Sequence, residues 1–258
     1  MITLNQLQAL LENLLLYDKS LDLPKIDPHM ANGLVVKGEN DIKKVGLGVS
    51  ASLKLFQMAA ERNCQALIVH HSLNFPSFNG YDEIFQKRMA FLLKHEISLF
   101  GYHFLLDSHP EIGHNAQIIK TIGGQLVAPY YFQKQPWGYI GALGSTSLDK
   151  IVRILKPKLS PNFKVYPFGK KEIKKVIAVS GKGYPSPSDL QYLITNKIDL
   201  YISGEVSEWI RELFREAEIN FIAGGHYHTE RFGLLALENI LKQQLVVKTE
   251  FLELENEI

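Results

Sequence analysis

Histidine and carboxylate side chains are concentrated in a few short stretches of the sequence. Eight of the nine histidines lie in segments 70–71, 95–114 and 226–228. Two of these segments also supply an acid four residues after a histidine, which pairs His103 with Asp107 and His226 with Glu230. Mixed imidazole and carboxylate ligands suit zinc, iron, manganese or nickel, whereas calcium and magnesium bind almost only oxygen. The pattern therefore predicts a site for divalent metal ions.

The candidate metal ligands are His70, His71, Asp107, His226 and Glu230. Five side chains are more than one open catalytic ion usually binds, and a carboxylate that bridges two ions explains the surplus. Two ions about 3.5–4 Å apart can acidify a shared water and stabilise both the attacking and the leaving atom. The expected activity is hydrolysis of a small substrate with a metal-activated water as the nucleophile. No side chain is assigned a catalytic role of its own.

The adjacent histidines follow an apolar run, residues 65–69, which is typical of a buried strand. Successive side chains of a strand point to opposite faces of the sheet, so two neighbouring rings would normally diverge. We therefore expect the chain to leave the strand at His70 and His71, where both rings can turn toward the same ions.

The same succession of elements occurs twice, at an offset of about 130 residues. The first copy reads as strand 44–50, helix 52–63 and strand 65–69, and the second as strand 174–180, helix 188–197 and strand 199–203. In each copy a further helix and strand follow, and that strand ends at His103 in the first copy and at His226 in the second. A histidine with an acid four residues later is commonplace, but the matched positions at two strand ends favour the metal site.

Short apolar strands that alternate with helices predict an α/β fold with mainly parallel sheets flanked by helices. We expect two similar α/β domains related by internal duplication, residues 1–126 and 127–258, with the C-terminal segment able to pack with the first. The segment 128–144, rich in Pro, Gly and aromatic residues, marks the boundary. The candidate histidines fall at the carboxyl ends of strands, where ligands of such sheets collect.

Composition excludes several classes of protein. Lys plus Arg (28) nearly equals Asp plus Glu (27), so no strong positive field attracts duplex DNA or an anionic membrane. The single cysteine, Cys64, rules out an intramolecular disulfide. The leucines near the N-terminus have helical spacing, and no apolar run approaches the roughly 20 residues of a membrane span. We expect a cytoplasmic protein.

Two residues are weaker candidates for supporting the site. His103 reads either as a contact to a metal ligand or substrate, or as a satisfied core histidine. Glu205 occupies the place in the second copy that the paired histidines hold in the first, but a charge at a helix N-terminus explains it equally well.

Two further features have ordinary structural explanations. Capping of a helix is the safer interpretation of Asn115. The segment 180–189 suggests phosphate binding through Lys182 and the turn amides, but it lacks the P-loop pattern. A Pro-rich turn before a helix capped by Ser188 is the favoured interpretation.

Five motifs resemble, in order along the chain, those of the hexameric dinuclear-metal-centre proteins. This is the Nif-three-like family, often called GTP cyclohydrolase type-two homologues. The motifs are NGLVVKG (32–38), LIVHHSLNF (67–75), GYHFLLDSHPEIGHNAQI (101–118), SGEVSE (203–208) and GGHYHTERFG (224–233). Ser72 departs from the family pattern, which commonly has Pro or Gly after the paired histidines; this affects loop stiffness more than metal ligation.

The resemblance spans nearly the whole chain and implies two divalent ions per chain, bound by the five candidate ligands with Glu230 as the bridge. It also implies two α/β domains with the metals between them, and a homohexamer whose sites face an internal cavity. The family's customary name suggests ring opening of GTP, and thus a nucleotide-like substrate. The alternative is a non-catalytic metal-binding scaffold or a metal-delivery, chaperone-like hexamer.

Overall fold

The computed structural model describes residues 1–73 and 80–258, which form two compact units. Unit 1 comprises Met1–Leu106 and Leu234–Glu255, and unit 2 comprises Asp107–Gly233 and Asn256–Ile258. The last two residues of the motif at 67–75 lie outside the described residues.

The first part of the chain contains six strands and five helices in the described residues. They are β1 (Ile2–Thr3), α1 (Leu4–Leu15), α2 (Leu23–Ile26), β2 (Asn32–Val36), β3 (Asp41–Ile42), β4 (Lys44–Ser50), α3 (Leu53–Glu61), β5 (Ala66–His71), α4 (Glu83–Lys94), β6 (Ser98–Tyr102) and α5 (Phe104–Ser108). The chain enters unit 2 within α5.

The remaining elements follow in unit 2 and then return to unit 1. They are α6 (His114–Thr121), β7 (Gln125–Phe132), β8 (Gln135–Ser147), α7 (Leu148–Leu155), a 3-10 turn (Lys156–Lys158), β9 (Lys164–Tyr166), β10 (Glu172–Val179), α8 (Pro187–Thr195), β11 (Leu200–Ser203), α9 (Glu208–Glu216), β12 (Asn220–Ala223), α10 (His226–Thr229), α11 (Phe232–Gln244) and β13 (Lys248–Phe251).

Helix α1 has the amphipathic character expected from its leucine spacing. Thr3 and Gln6 form a reciprocal capping box at its N-terminus, which satisfies amide groups that otherwise have no partner within the helix. Its buried residues recur at helical spacing: Leu4, Leu7, Leu11 and Leu15. The helix therefore adds a continuous apolar stripe to the core of unit 1.

Unit 1 contains a five-stranded sheet in the order β13-β4-β5-β6-β2. Its first four strands are parallel, and β2 pairs with β6 in the antiparallel direction. Helices α3 and α4 bury Leu55, Phe56 and Leu92 against side chains of β5 and β6. This mainly parallel sheet agrees with the α/β fold expected from the sequence.

Unit 2 contains a six-stranded sheet in the order β7-β8-β10-β11-β12-β9. Only β10, β11 and β12 are parallel to one another; β7, β8 and β9 are antiparallel to their neighbours. A two-residue turn, Gln133 and Lys134, joins β7 to β8, and both residues have positive φ. Such turns close tight hairpins, so this sheet is mixed and not mainly parallel.

Helices cover both faces of the unit 2 sheet. Alternate residues of the parallel strands β10, β11 and β12 belong to different hydrophobic clusters; for example, Val176 packs in one and Ile177 in the other. Helices α6 and α7 contribute to the first cluster, and α8 and α9 to the second. The strands are thus buried on both sides, which accounts for their continuous apolar runs.

The two units share a strand–helix–strand–helix–strand core with the same parallel order. In unit 1 this core is β4 to β6 and in unit 2 it is β10 to β12, and in both an antiparallel strand borders the third parallel strand. The shared order is compatible with internal duplication, which stays a prediction.

The units divide at Leu106/Asp107, whereas the sequence suggested residue 126/127. The segment 128–144 is not a linker because it lies within the hairpin strands β7 and β8 of the unit 2 sheet. Segment 234–255 belongs to unit 1 because β13 pairs with β4. Within residues 1–73 and 80–258, none of the helices combines the length and apolar character needed to cross a bilayer.

Candidate metal centre

His70 and His71 are the last two residues of β5. Contrary to expectation, the chain does not leave the strand before them. Pairing with β6 stops at Val69, whereas pairing with β4 continues to His71, opposite Ser50. The two rings nevertheless lie close together, with centroids 4.6 Å apart. At this end of β5 only β4 pairs with the strand, and both imidazoles lie within one small region.

Hydrogen bonds define which ring nitrogens of the two residues are engaged. Nδ1 of the buried His70 lies 3.1 Å from the carbonyl oxygen of Tyr102. A carbonyl oxygen only accepts, so Nδ1 donates and Nε2 of the neutral ring has the lone pair. Nδ1 of His71 lies 3.0 Å from the Ser50 hydroxyl oxygen. Anchoring one nitrogen in this way is typical of metal-binding histidines.

His103 directly follows β6 and joins the same group. Its ring centroid is 4.7 Å from that of His70 and 5.5 Å from that of His71. One potential ligand atom of each of the three residues lies within 4.8 Å of the others. Unit 1 therefore presents three imidazoles together, of which the sequence identified two as ligands and one as a supporting residue.

Asp27 is a functional candidate that sequence reasoning missed. Its Oδ2 lies 2.8 Å from Nδ1 of His103. Burial raises the pKa of Asp27, but the hydrogen bond and charge of His103, with further hydrogen bonds from Phe104 and Asn32, outweigh this and lower the pKa overall. The only signal in the sequence is an acid five residues before the NGL motif.

Asp107 lies in α5 and is buried in unit 2. The Ser180 hydroxyl donates to its Oδ1 at 2.9 Å. Asn115 connects the same residues, because its Oδ1 accepts from the Ser180 amide at 2.7 Å and its Nδ2 donates to the Asp107 carbonyl at 3.2 Å. Asn115 is not the cap of α6, which is Gly113. Its side chain instead holds the main chain around Asp107.

His226 and Glu230 approach each other as the spacing predicted. Nε2 of His226 lies 3.1 Å from Oε1 of Glu230, and Nδ1 lies 2.6 Å from Oε1 of Glu205. Glu205 therefore contacts the site and is not only a charge near a helix. Burial lowers the pKa of His226, but Glu230 and then Glu205 outweigh it and raise the pKa to about 9.

The turn after β10 packs against Glu230. Gly181 has a φ of +58°, and a Cβ at this position would overlap Oε1 of Glu230 and lie 3.1 Å from Nε2 of His226. The Gly181 amide donates to Thr229 Oγ1, and its carbonyl accepts from the Glu205 amide, both at 3.0 Å. Only glycine fits this close approach.

The helix after the 180–189 turn begins differently from the prediction. Ser186, not Ser188, is the N-cap of α8, with Asp189 completing a capping box. The Pro-rich turn itself is present as expected, and Gly181 gives it a role beside Glu230 that the sequence did not suggest.

The donor set fits divalent metal ions of the first transition row. Within unit 1, the structure brings His70 and His71 together with His103. Within unit 2, it places His226, Glu230 and Glu205 in contact. The consecutive residues Ser180 and Gly181 contact Asp107 and Glu230, respectively. Such ions prefer carboxylates and imidazoles as ligands, and an imidazole ligand is commonly held in place by a hydrogen bond at its other ring nitrogen, here Nδ1.

The fold and these groups define a mixed α/β protein with candidate metal ligands in both units. The family model Duf34/NIF3 (NGG1p interacting factor 3) matches residues 8–257, and the chain belongs to this family.

Relatives and solved structures match along nearly the full chain. The GTP cyclohydrolase 1 type 2 homolog of Archaeoglobus fulgidus is 34% identical over 241 residues, covering 92% of this chain and 94% of that protein. The protein of the same name from Pyrococcus abyssi is 32% identical over 239 residues, with the same coverage. The crystal structure of TTHA1606 from Thermus thermophilus superposes with a TM-score of 0.83 at 27% identity and covers 100% of both chains.

Proposed function

We propose that this protein is a metal-dependent hydrolase of a small, nucleotide-like substrate. His70, His71, Asp107, His226 and Glu230 would hold two divalent ions, with Glu230 shared between them. The observation that carries the proposal is the pair of buried carboxylates, Asp107 and Glu230, in contact with the consecutive residues Ser180 and Gly181.

Bound divalent ions would supply Lewis acidity, which lowers the pKa of water and neutralises negative charge that develops during hydrolysis. The protein's own groups would prepare the site. Ser180 fixes Oδ1 of Asp107, and Glu205 fixes Nδ1 of His226. Such outer hydrogen bonds orient metal ligands and typically contribute about 10- to 100-fold to metal affinity.

The substrate class is supported by the name shared by the curated relatives, GTP cyclohydrolase 1 type 2 homolog. Ring opening of GTP requires hydrolytic attack at the purine C8, which is within the chemistry of an activated water. The proposal therefore places GTP first in a panel of nucleotides and damaged nucleotides.

A second candidate is a metal-binding scaffold without catalysis. It is supported by the same ligands, since metal bound only by the folded state also stabilises that state. The expected homohexamer suits either function and stays a prediction.

The test is turnover of the nucleotide panel by protein loaded with Mn²⁺, Fe²⁺, Zn²⁺ or Ni²⁺, with products identified by mass spectrometry. We expect turnover by the wild type and His95→Ala, an exposed histidine at the end of α4, and loss in a folded His70→Ala variant. Absence of turnover with every ion, together with a large fall of Tm on chelation, would instead establish the scaffold.

A further inference from the structure

We infer that His103 is an additional nitrogen ligand of the candidate metal centre and that Asp27 is the residue that positions it. The inference rests on the proposed metal binding and adds two residues to it. It concerns unit 1 alone, where His70, His71 and His103 lie together.

The hydrogen bonds of Asp27 determine the tautomer of His103. Oδ2 of Asp27 lies 2.8 Å from His103 Nδ1, 3.2 Å from the Phe104 amide and 3.3 Å from Asn32 Nδ2. An ionised carboxylate only accepts hydrogen bonds, and the N–H groups of Phe104 and of the Asn32 side chain donate to it. Nδ1 of His103 must therefore donate as well, so Nε2 is the nitrogen that carries a lone pair once the ring is deprotonated.

Asp27 is well placed for this role because it cannot easily move. It is only 8% exposed, and its three hydrogen bonds come from Asn32 in β2, from Phe104 in α5 and from His103, which lies between β6 and α5. A carboxylate that receives one imidazole N–H while the other nitrogen binds a metal is a recurring arrangement in metalloproteins.

The three rings offer a complete nitrogen ligand set. Nδ1 of His70 is engaged by Tyr102 and Nδ1 of His103 by Asp27, so Nε2 is the atom that each can direct to an ion. The His103 side chain is 21% exposed and is in ring contact with both neighbours. Three histidines are a known ligand set of open zinc sites.

Co²⁺ titration of the 258-residue chain, followed by its visible absorption, tests the inference without relying on activity. We expect His103→Ala to weaken the Co²⁺ affinity at least tenfold and to change the absorption spectrum, because one nitrogen ligand is replaced by water. Asp27→Asn should weaken it by about 10- to 100-fold, as for other residues that orient metal ligands.

Matched controls separate this effect from general damage. His95→Ala and Asp22→Asn remove the same groups at exposed positions and should bind Co²⁺ like the wild type. If His103→Ala does not fold, His103→Gln replaces it, since glutamine can still donate a hydrogen bond to Asp27 but offers no imidazole nitrogen.

The outcomes distinguish the inference from the proposed function. Wild-type affinity and an unchanged spectrum in His103→Ala or His103→Gln, with binding lost in His70→Ala, would overturn only the role of His103. A wild type that fails to bind Co²⁺ would overturn both. A weakened affinity in Asp27→Asn with the spectrum of His103→Ala would support the positioning role.

Discussion

Unit 1 and unit 2 each contain a histidine whose Nδ1 is bound by a carboxylate: His103 by Asp27, and His226 by Glu205. The surroundings of the other ring nitrogen differ. In unit 1 the histidine lies against two more imidazoles, whereas in unit 2 Nε2 is 3.1 Å from the second carboxylate, Glu230.

The difference shows which kind of ligand each unit would contribute to cation binding. Unit 1 offers imidazole nitrogens that hydrogen bonds orient in advance. In unit 2 each ring nitrogen of His226 faces a carboxylate, and both carboxylates favour the protonated ring, which raises the pKa of His226 to about 9. A divalent ion bound at Glu230 would replace that proton, so metal binding and protonation compete in unit 2.

Among substitutions that leave the candidate ligands themselves in place, the largest effect is expected from Gly181→Ala. The new Cβ would overlap Oε1 of Glu230, and alanine is strained at a φ of +58°, which costs roughly 1–2 kcal/mol. Gly123→Ala is a matched control because its φ is +82° and nothing lies within 4 Å of the added Cβ. We expect similar backbone strain in both variants.

Metal affinity distinguishes these variants. Displacement of Glu230 should lower Co²⁺ affinity by about a hundredfold in Gly181→Ala, whereas Gly123→Ala keeps the wild-type value. Urea unfolding measures the strain, and calorimetric titration measures the affinity. Equal affinities in the two variants would show that the 180–189 turn does not shape the site.

A smaller effect is expected from pH on the stability of the metal-free protein. The His226 and Asp27 contributions should change with pH in opposite directions. The folded-state pKa of His226 is raised from 6.5 to about 9, so its contribution to stability is full below pH 6.5 and is lost as the pH rises through 9. The folded-state pKa of Asp27 is lowered from 3.8, so its contribution is full above pH 3.8 and is lost as the pH falls through the lowered value.

Urea unfolding across pH, with variants as references, measures each contribution. The stability difference between wild type and Glu205→Gln should shrink from pH 6.5 to 9, and that between wild type and Asp27→Asn should shrink on the acid side. A flat difference for Glu205→Gln over this alkaline range would show that Glu205 does not stabilise the protonated ring of His226.

Much of the fold could be predicted because it depends on local patterns. The strand–helix–strand runs of β4 to β5 and β10 to β11 follow from apolar spacing, and the His226–Glu230 contact follows from the pitch of one helical turn. The family was recognised from five motifs, and the family model confirms it.

The rest depended on contacts between distant parts of the chain. Asp27 is 76 residues from His103, and Ser180 is 73 residues from Asp107, so no local spacing could join them. The Pro, Gly and aromatic residues in 128–144 resemble a linker, but they lie in the hairpin strands β7 and β8. No local sequence pattern indicates that residue 181 must be glycine, because the requirement comes from its close approach to Glu230.

The most direct test of the account counts metal ions per chain by plasma mass spectrometry in the wild type, Glu230→Ala and the exposed control Glu216→Ala. A glutamate shared by two ions predicts two ions per chain in the wild type and control, and none in Glu230→Ala. Two ions retained by Glu230→Ala, or fewer than one in a wild type purified under reducing conditions, would contradict it.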